Sequence, residues 1–200
     1  AAVTTGVLAV TSLSLSGLIG SAEVQELMND TFESGYGAWK GVGSSLSLST
    51  EQAHNGGTSL YCYDRTANWG APRCSLTGIV AAGQSYEISA SAMYEGSGQQ
   101  NMAIKMIYTD ANGTDHYDQV AATQATAGQW VEIKGNYTVP SGATDMILYV
   151  EMPDANTDQT YYIDDVVIKG EKTEIQLDDK FESDFDNNST QKWNGRGSAK

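Results

Sequence analysis

The sequence predicts an all-β protein, an antiparallel two-sheet β-sandwich of the jelly-roll type. Three observations predict this fold class. Apolar and polar residues alternate in several short segments, turn-forming residues separate those segments, and no segment has a convincing amphipathic-helix pattern. The 21 glycines among 200 residues suit a chain with many turns. A domain of this size can bury enough apolar surface to fold on its own.

Three segments show the alternation most clearly, and each places its apolar residues on one face of a strand. Turn signals rich in Gly, Asn, Asp and Pro lie between the predicted strands. The apolar positions are Tyr86, Ile88, Ala90 and Ala92, then Met102, Ile104, Met106 and Tyr108, then Met146, Leu148, Val150 and Met152; the turns are 55–57, 110–113, 140–142 and 154–156. Short strands joined by such turns favour antiparallel pairing.

The charge of the chain narrows its range of partners. There are 25 Asp and Glu against 11 Lys and Arg, which gives a formal net charge of −14. Neither nucleic acid nor an anionic membrane is expected as a partner, because both need a basic surface. Tyrosine is the commonest aromatic, with 11 residues, and its ring carries a polar group that suits half-exposed positions. Neutral ligands and divalent cations remain as partners.

The two ends of the chain differ from its middle. Residues 1–26 are predicted as a leader with the remnant of a secretory signal, since residues 1–22 carry no charge and end in Gly-Ser-Ala. A transmembrane anchor is the alternative, but polar residues interrupt the apolar run. Residues 27–170 are predicted as the sandwich, 171–178 as a linker, and 179–200 as the truncated start of a second, similar module. The protein is therefore expected to be secreted.

The sequence predicts neither nucleophilic catalysis nor a zinc site. His54 and His116 are the only histidines, and neither lies in a recognisable catalytic Ser or Cys motif. Two cysteines without paired spacing to histidine do not predict zinc. One enzymatic alternative stays open, because glycoside hydrolysis needs only two carboxylates and Glu87 could share a face with Glu151. That alternative is a small jelly-roll glycoside hydrolase that uses Glu151.

Cys62 and Cys74 flank a loop centred on Asn68. If the strands on either side form a hairpin about that centre, the two cysteines face each other. In an exported protein they could then form a cross-strand disulfide. The alternative is a pair of small buried thiols, which a bulged loop and a shifted register would produce.

The last of the three clear strands carries an aromatic and acidic pair. Tyr149 and Glu151 alternate with Leu148 and Val150, so the pair is expected on an exposed face, away from the core. A tyrosine ring can lie against the flat C–H face of a sugar, and a carboxylate can accept hydrogen bonds from its hydroxyls. The pair is therefore a candidate carbohydrate contact.

A set of motifs extends over nearly all of residues 27–170. They are Asp30-Thr31-Phe32-Glu33 with Trp39, Arg65-Thr66-Ala67-Asn68-Trp69-Gly70, Tyr108-Thr109-Asp110 with Tyr117-Asp118, Gln129-Trp130, the turn 140–146, Tyr149-Val150-Glu151, and Tyr162-Ile163-Asp164-Asp165. With these motifs the chain resembles a family 22 carbohydrate-binding module, the β-sandwich appended to many bacterial xylanases. The Arg-Thr-x-x-Trp segment and the later Tyr-x-Glu strand are the most specific part of the match.

The resemblance implies non-catalytic binding of β-1,4-xylan on a concave sheet face, with mixed-linkage β-glucan as a further ligand. It implies contacts from Trp69, Tyr117, Tyr149 and Glu151, with Arg65 from the same segment as Trp69. Modules of this kind direct an attached glycoside hydrolase to plant cell-wall polysaccharide. The module is therefore expected to act as a monomer within a larger xylanase, whose catalytic domain would lie beyond residue 200.

The resemblance also implies a structural Ca²⁺ away from the cleft. Glu33 and Asp164 are expected as its ligands, with backbone oxygens near Thr31 and Asn55. Hard oxygen ligands from distant segments are what calcium needs, and the ion would tie the first and last strands together. The alternative is that Asp164 merely ends an edge strand.

One position departs from the family pattern, because Val42 stands where the family has an arginine. One polar contact of the family is therefore missing from this copy. A third function class, a non-binding spacer or adhesin-like sandwich, is compatible with the same fold, and it predicts neither sugar release nor xylan binding.

Overall fold

A computed structural model describes residues 23–171, and all regular structure in that range is β-strand. Eleven strands follow one another along the chain: β1 (Val24–Asp30), β2 (Lys40–Val42), β3 (Ser45–Ser49), β4 (Ser59–Tyr63), β5 (Ala71–Ser75), β6 (Ser85–Glu95), β7 (Gln99–Thr109), β8 (Asp115–Thr126), β9 (Val131–Thr138), β10 (Thr144–Glu151) and β11 (Thr160–Glu171). No helix of the described residues has the length and apolar character needed to cross a membrane.

The strands form two antiparallel sheets that pack face to face. Sheet A has the order β3-β4-β11-β6-β9, with β1 also paired to β11, and sheet B has the order β2-β5-β10-β7-β8. From β4 onwards, most connections carry the chain from one sheet to the other, which is typical of jelly rolls. The predicted two-sheet β-sandwich is confirmed.

Strand β11 organises sheet A. One of its edges pairs with β6 along most of its length, whereas the other pairs with β4 at residues 161–163 and with β1 at residues 166–171. The register shifts between Asp164 and Val167, and Asp165 has a positive φ of 46°. An irregularity of this kind changes the direction of side chains. Here it lies at the point on β11 where the pairing partner changes from β4 to β1.

The core lies between the two sheets and follows the predicted alternation. All twelve apolar positions of the three clear segments are buried and belong to one cluster. Leu148 and Val150 of β10 belong to that cluster together with Tyr86 and Ile88 of β6, from the other sheet. Burial of each Leu, Ile or Val contributes about 1.5–3 kcal/mol, so the inward faces of β6, β7 and β10 contribute a substantial share of the stability of the sandwich.

The first and last residues of the domain lie close to the predicted boundaries. Strand β1 begins at Val24 and therefore takes in the last three residues of the predicted leader, while β11 ends at Glu171. Residues 24–26 pair with residues 169–171, which explains why they belong to the sheet. Residues 1–22 of the predicted leader, the linker from residue 172 and the start of a second module lie outside the described residues.

The predicted hairpin around Asn68, and with it the disulfide, is wrong. Cys62 lies on β4 in sheet A and Cys74 on β5 in sheet B, because the loop between them carries the chain from one sheet to the other. Both cysteines are free and buried. Burial raises the pKa of both thiols, that of Cys74 to about 11, so neither is a ready thiolate at neutral pH.

We expect no thiol to react with a chromogenic disulfide reagent in the native protein, and two thiols to react in denaturant without a reductant. The reason is that these are the only cysteines of the chain and both lie in the core. A thiol titration with and without guanidinium measures this. If no thiol reacted in denaturant, the disulfide would be present after all.

Candidate functional site

A cleft of about 460 Å³ opens on the outer face of sheet B. Its lining consists of Val42, Trp69, Arg73, Tyr117 and Tyr149. These residues come from strands β2, β5, β8 and β10 and from the loop before β5, so antiparallel pairing assembles the cleft from distant parts of the sequence. The lining combines three aromatic rings with one cation, and such a surface suits a ligand with both flat apolar faces and polar groups.

The central strand of sheet B supplies the floor. Tyr149 and Glu151 of β10 lie on the face opposite the core, as the alternation predicted. The prediction that this face is exposed was wrong, because each of the two side chains is only 3% exposed. Tyr149 packs with Ala71 and Ile107 from the flanking strands β5 and β7 in a second apolar cluster, and this packing covers it.

Burial keeps Tyr149 neutral. Desolvation, with a smaller contribution from the nearby Glu151 carboxylate, raises the pKa of Tyr149 to about 12. The phenol is therefore protonated throughout the neutral range and can donate as well as accept a hydrogen bond.

Trp69 and Tyr117 form the exposed part of the aromatic surface. Trp69 is 50% exposed and Tyr117 is 60% exposed, unusually high values for large aromatic side chains. Trp69 is held against the backbone of Gly43, since a Cβ atom at residue 43 would lie 2.7 Å from the indole ring. Gly43 also has a positive φ of 63°, so both space and conformation require glycine there. The indole is therefore fixed in place although half of it faces solvent.

Arg65 does not line the cleft, contrary to the expectation that it contacts the ligand. It is 4% exposed, and its guanidinium donates four hydrogen bonds of 2.5–3.0 Å to backbone carbonyls. Two of these carbonyls, Asn68 and Gly70, flank Trp69, and the other two, Met152 and Asn156, belong to the loop after β10. Arg65 therefore ties the Trp69 loop to the loop that follows the cleft floor.

Glu151 is paired with a cation yet keeps capacity to accept hydrogen bonds. Lys105 Nζ lies 2.5 Å from Glu151 Oε1 and balances its charge. Beyond this ion pair, Glu151 Oε1 has no hydrogen-bond partner among the described residues. A carboxylate has about four lone-pair sites, so Glu151 can still accept a hydrogen bond from a ligand hydroxyl.

Arg73 is a residue of the cleft that sequence reasoning missed. It lies on β5, where it pairs with Tyr149 on one side and with Lys40 on the other. Its guanidinium lies over the ring of Tyr149 at 5.2 Å and over that of Trp69 at 5.8 Å. No local motif marks position 73. Only the pairing of β5 between β2 and β10 brings it to the cleft.

The carboxylates required by the hydrolase alternative lie on opposite layers. Glu151 is on sheet B, whereas Glu87 is on β6 of sheet A and forms an ion pair of 2.8 Å with Lys134. His54 approaches both Ser91 and Asp165, but through the same nitrogen, Nδ1. A nucleophile and an orienting carboxylate must use different ring nitrogens, so these three residues cannot act as a triad.

The two carboxylates predicted for calcium, Glu33 and Asp164, both accept hydrogen bonds from one turn beside sheet A, residues 54–58. Asp164, which is fully buried, accepts hydrogen bonds from the backbone N–H groups of His54 and Asn55. Glu33 accepts from the N–H groups of Gly57 and Thr58 in the same turn. Burial raises the pKa of Asp164, and its N–H donors oppose that shift. The first and last segments of the module are thus joined through residues 54–58.

The two carboxylates at this turn are bonded to backbone N–H groups and do not form a dense carboxylate cluster. In the part of the chain that the structure describes, no group of three or more His, Cys, Asp or Glu side chains comes together as for a metal ion. An ion at this turn would therefore need backbone oxygens, such as those predicted near Thr31 and Asn55, besides the two carboxylates. Calcium accepts such mixed oxygen ligands.

Comparison with known proteins places these features in a family. A family model described as a carbohydrate binding domain matches residues 25–160. A solved xylan-binding domain of family 22 has a TM-score of 0.68 and 32% identity, and covers 75% of this chain and 97% of that one. The family 22 xylan-binding domain of a Paenibacillus barcinonensis xylanase gives the same TM-score, identity and coverage.

Similar sequences occur within much larger proteins. The xylanase/beta-glucanase of Ruminococcus flavefaciens is 32% identical over 154 residues, which cover 75% of this chain and 19% of that protein. Endo-1,4-beta-xylanase A of Thermotoga neapolitana is 35% identical over 156 residues, which cover 74% of this chain and 14% of that protein. The matched region thus makes up a fifth or less of these relatives.

Proposed function

This chain belongs to the carbohydrate binding domain family, and within it to the family 22 modules, and from that premise we propose that its cleft binds β-1,4-xylan. One observation carries the proposal: the rings of Trp69, Tyr117 and Tyr149 line one cleft on the outer face of sheet B. The largely buried Glu151 carboxylate is not part of that lining, but it lies two residues along β10 from Tyr149 on the same face. Pyranose rings present flat C–H faces and equatorial hydroxyls, which these two kinds of group complement. The module itself is non-catalytic.

The residues that line the cleft and those that support it have three proposed roles. Trp69 and Tyr117 supply the exposed rings against which sugar units lie, and Tyr149 extends that surface to the floor. Glu151 accepts hydrogen bonds from sugar hydroxyls. Arg65 acts as a positioning residue, since its bonds hold the loop that bears Trp69.

The function in the whole protein is targeting. Related sequences occur in xylanases of several times this length, so we infer that the module holds an attached hydrolase near cell-wall xylan after secretion. Tethering raises the effective concentration of the catalytic domain at its substrate, and a second module would add avidity. Mixed-linkage β-glucan, also a neutral β-linked chain, is a second ligand to test.

Trp69→Ala is expected to raise the Kd for xylohexaose roughly 30-fold, because an exposed aromatic anchor contributes about 2 kcal/mol to binding. Tyr117→Ala is expected to act in the same direction. Affinity electrophoresis in gels with soluble xylan, followed by titration calorimetry, measures both effects. Tyr36→Ala is the matched control, since Tyr36 is an exposed aromatic residue outside the cleft lining.

Unchanged retardation of both cleft variants would contradict this binding mode. If xylan in the gel did not retard the native protein, the result would favour the alternative of a non-binding spacer. Release of reducing sugar that is lost in Glu151→Gln would instead support the hydrolase.

We propose in addition that a structural Ca²⁺ is held by Glu33 and Asp164 with backbone oxygens near Thr31 and Asn55. It would supply fixed positive charge between the first and last segments. Chelation is then expected to lower the Tm by on the order of 10 °C, because a ligand at 100 times its Kd stabilises by about 2.7 kcal/mol. Calorimetric scans with EDTA, and with calcium restored, measure the shift.

Glu33→Gln provides the control for this site, since Glu33 is exposed and the variant should fold. Its Tm is expected to respond less to EDTA than that of the native protein, while xylan binding at low temperature stays the same. Equal Tm values of the native protein with EDTA and with calcium would overturn the proposal.

A further inference from the structure

The positive charges of this acidic module are concentrated at the cleft. Residues 23–171 contain six Lys and Arg against 19 Asp and Glu. Three of the six, Lys40, Arg73 and Lys105, lie at one level across the outer face of sheet B, where Arg73 pairs with Lys40 and Tyr149 pairs with both Arg73 and Lys105. Half of the module's cations therefore lie in one row beside the ligand surface.

Only one of these three cations is neutralised. Lys105 is paired with Glu151, whereas neither Lys40 nor Arg73 forms an ion pair with any of the described residues. Lys40 and Arg73 are directly opposite each other in neighbouring antiparallel strands. Like charges in that relation repel and destabilise the pair of strands, and an anion between them would remove the repulsion.

Arg73 keeps hydrogen-bonding capacity at the wall of the cleft. Its Nε is buried and has no hydrogen-bond partner among the described residues. Its guanidinium lies near the rings of Trp69 and Tyr149, and these contacts restrict its movement at the wall of the cleft. A guanidinium with free N–H groups matches a carboxylate through two parallel hydrogen bonds.

We propose that the cleft takes xylan whose backbone carries uronic acid side groups, and that Arg73 and Lys40 bind the carboxylate of such a group. The inference rests on the proposed function, since the backbone of the same chain would lie on Trp69, Tyr117 and Tyr149. A neutral hydroxyl could also accept a bond from Arg73, but it would leave the charges of Arg73 and Lys40 unbalanced. The overall charge of −14 repels an acidic polymer elsewhere on the surface, so these two residues decide where its carboxylate binds.

The experiment compares two polymers that differ only in that charge. Glucuronoxylan and the same polymer after reduction of its carboxyl groups to alcohols have identical backbones and side-group positions. The native chain is expected to bind the acidic polymer roughly three- to tenfold more tightly in 20 mM salt, as a partly exposed charge-assisted pair provides. The preference should shrink as salt is raised to 0.5 M, because salt screens exposed charges.

Substitutions assign the preference to its residues. Arg73→Gln is expected to bring the ratio of the two Kd values close to one, and Lys40→Gln to lower it in part. Lys134→Gln is the control, since Lys134 is a cation on the opposite sheet, and it should leave the ratio unchanged. Lys40 is exposed, so its variant and the salt series remain informative even if Arg73→Gln does not fold.

The outcomes separate the two proposals. If neither polymer binds, the proposed function fails. If both bind with equal affinity at low salt, the function stands and the carboxylate site is overturned. A preference that survives in Lys40→Gln and Arg73→Gln also overturns it, because the charge would then be recognised elsewhere.

Discussion

Arg65→Met is expected to lower the free energy of unfolding by roughly 3–5 kcal/mol, because it removes a buried charged donor from four backbone carbonyls at once. Two of the carbonyls lie in the Trp69 loop and two lie in the loop after β10. The hydrogen bonds that join these two loops through Arg65 would therefore be lost. Xylan binding should weaken as well, since Trp69 would no longer be held at the cleft. Urea unfolding and affinity electrophoresis measure the two effects.

Two further variants sharpen this prediction. Arg65→Lys should recover little of the stability, because an ammonium on a flexible stem cannot reach four carbonyls that a planar guanidinium joins. Lys169→Met removes an exposed cation from sheet A and should change stability by less than about 0.5 kcal/mol. A stable Arg65→Met variant that binds xylan normally would show that the two loops hold their positions without this residue.

Glu151→Gln is expected to weaken xylan binding between about 10- and 100-fold while the sandwich stays folded. Hydrogen bonds to a charged group contribute about 1.5–3 kcal/mol, and the amide is a weaker acceptor in the same position. The substitution also leaves Lys105 without its partner at the cleft floor. Titration calorimetry with xylohexaose and urea unfolding measure affinity and stability separately.

The double variant Glu151→Gln with Lys105→Met separates charge balance from ligand contact. It restores neutrality on the floor, so stability lost in the single variant should return. Affinity should not return, because the carboxylate is still missing. If affinity recovered together with stability, Glu151 would act by balancing Lys105 rather than by accepting bonds from the sugar.

The fold class and the faces of the strands could be predicted because they depend on local periodicity. The alternation of Leu148 and Val150 with Tyr149 and Glu151 is visible in any window of five residues, and burial follows it directly. The degree of burial could not be predicted in the same way. Tyr149 is covered by residues of β5 and β7, whose pairing with β10 is not recorded in the local sequence.

Pairing between distant strands accounts for the predictions that were wrong and for the residue that was missed. Cys62 and Cys74 are symmetric about a loop, which suggested a hairpin, but the same loop can carry a chain between two sheets. Arg65 and Arg73 flank Trp69 in the sequence. Only the structure shows that Arg65 donates its hydrogen bonds to backbone carbonyls, whereas Arg73 reaches the cleft. The motif identified the segment as part of the binding site, but it did not show which of its residues reach the cleft.

The pairing of β1 with β11 has a consequence for the architecture of a longer protein. Val24 pairs with Glu171, so the two ends of the module leave from adjacent strands of sheet A, on the layer opposite the cleft. Connections to neighbouring modules would therefore start from the layer opposite the binding face. The first and last strands of the module leave the entrance of the cleft unobstructed for a long polysaccharide.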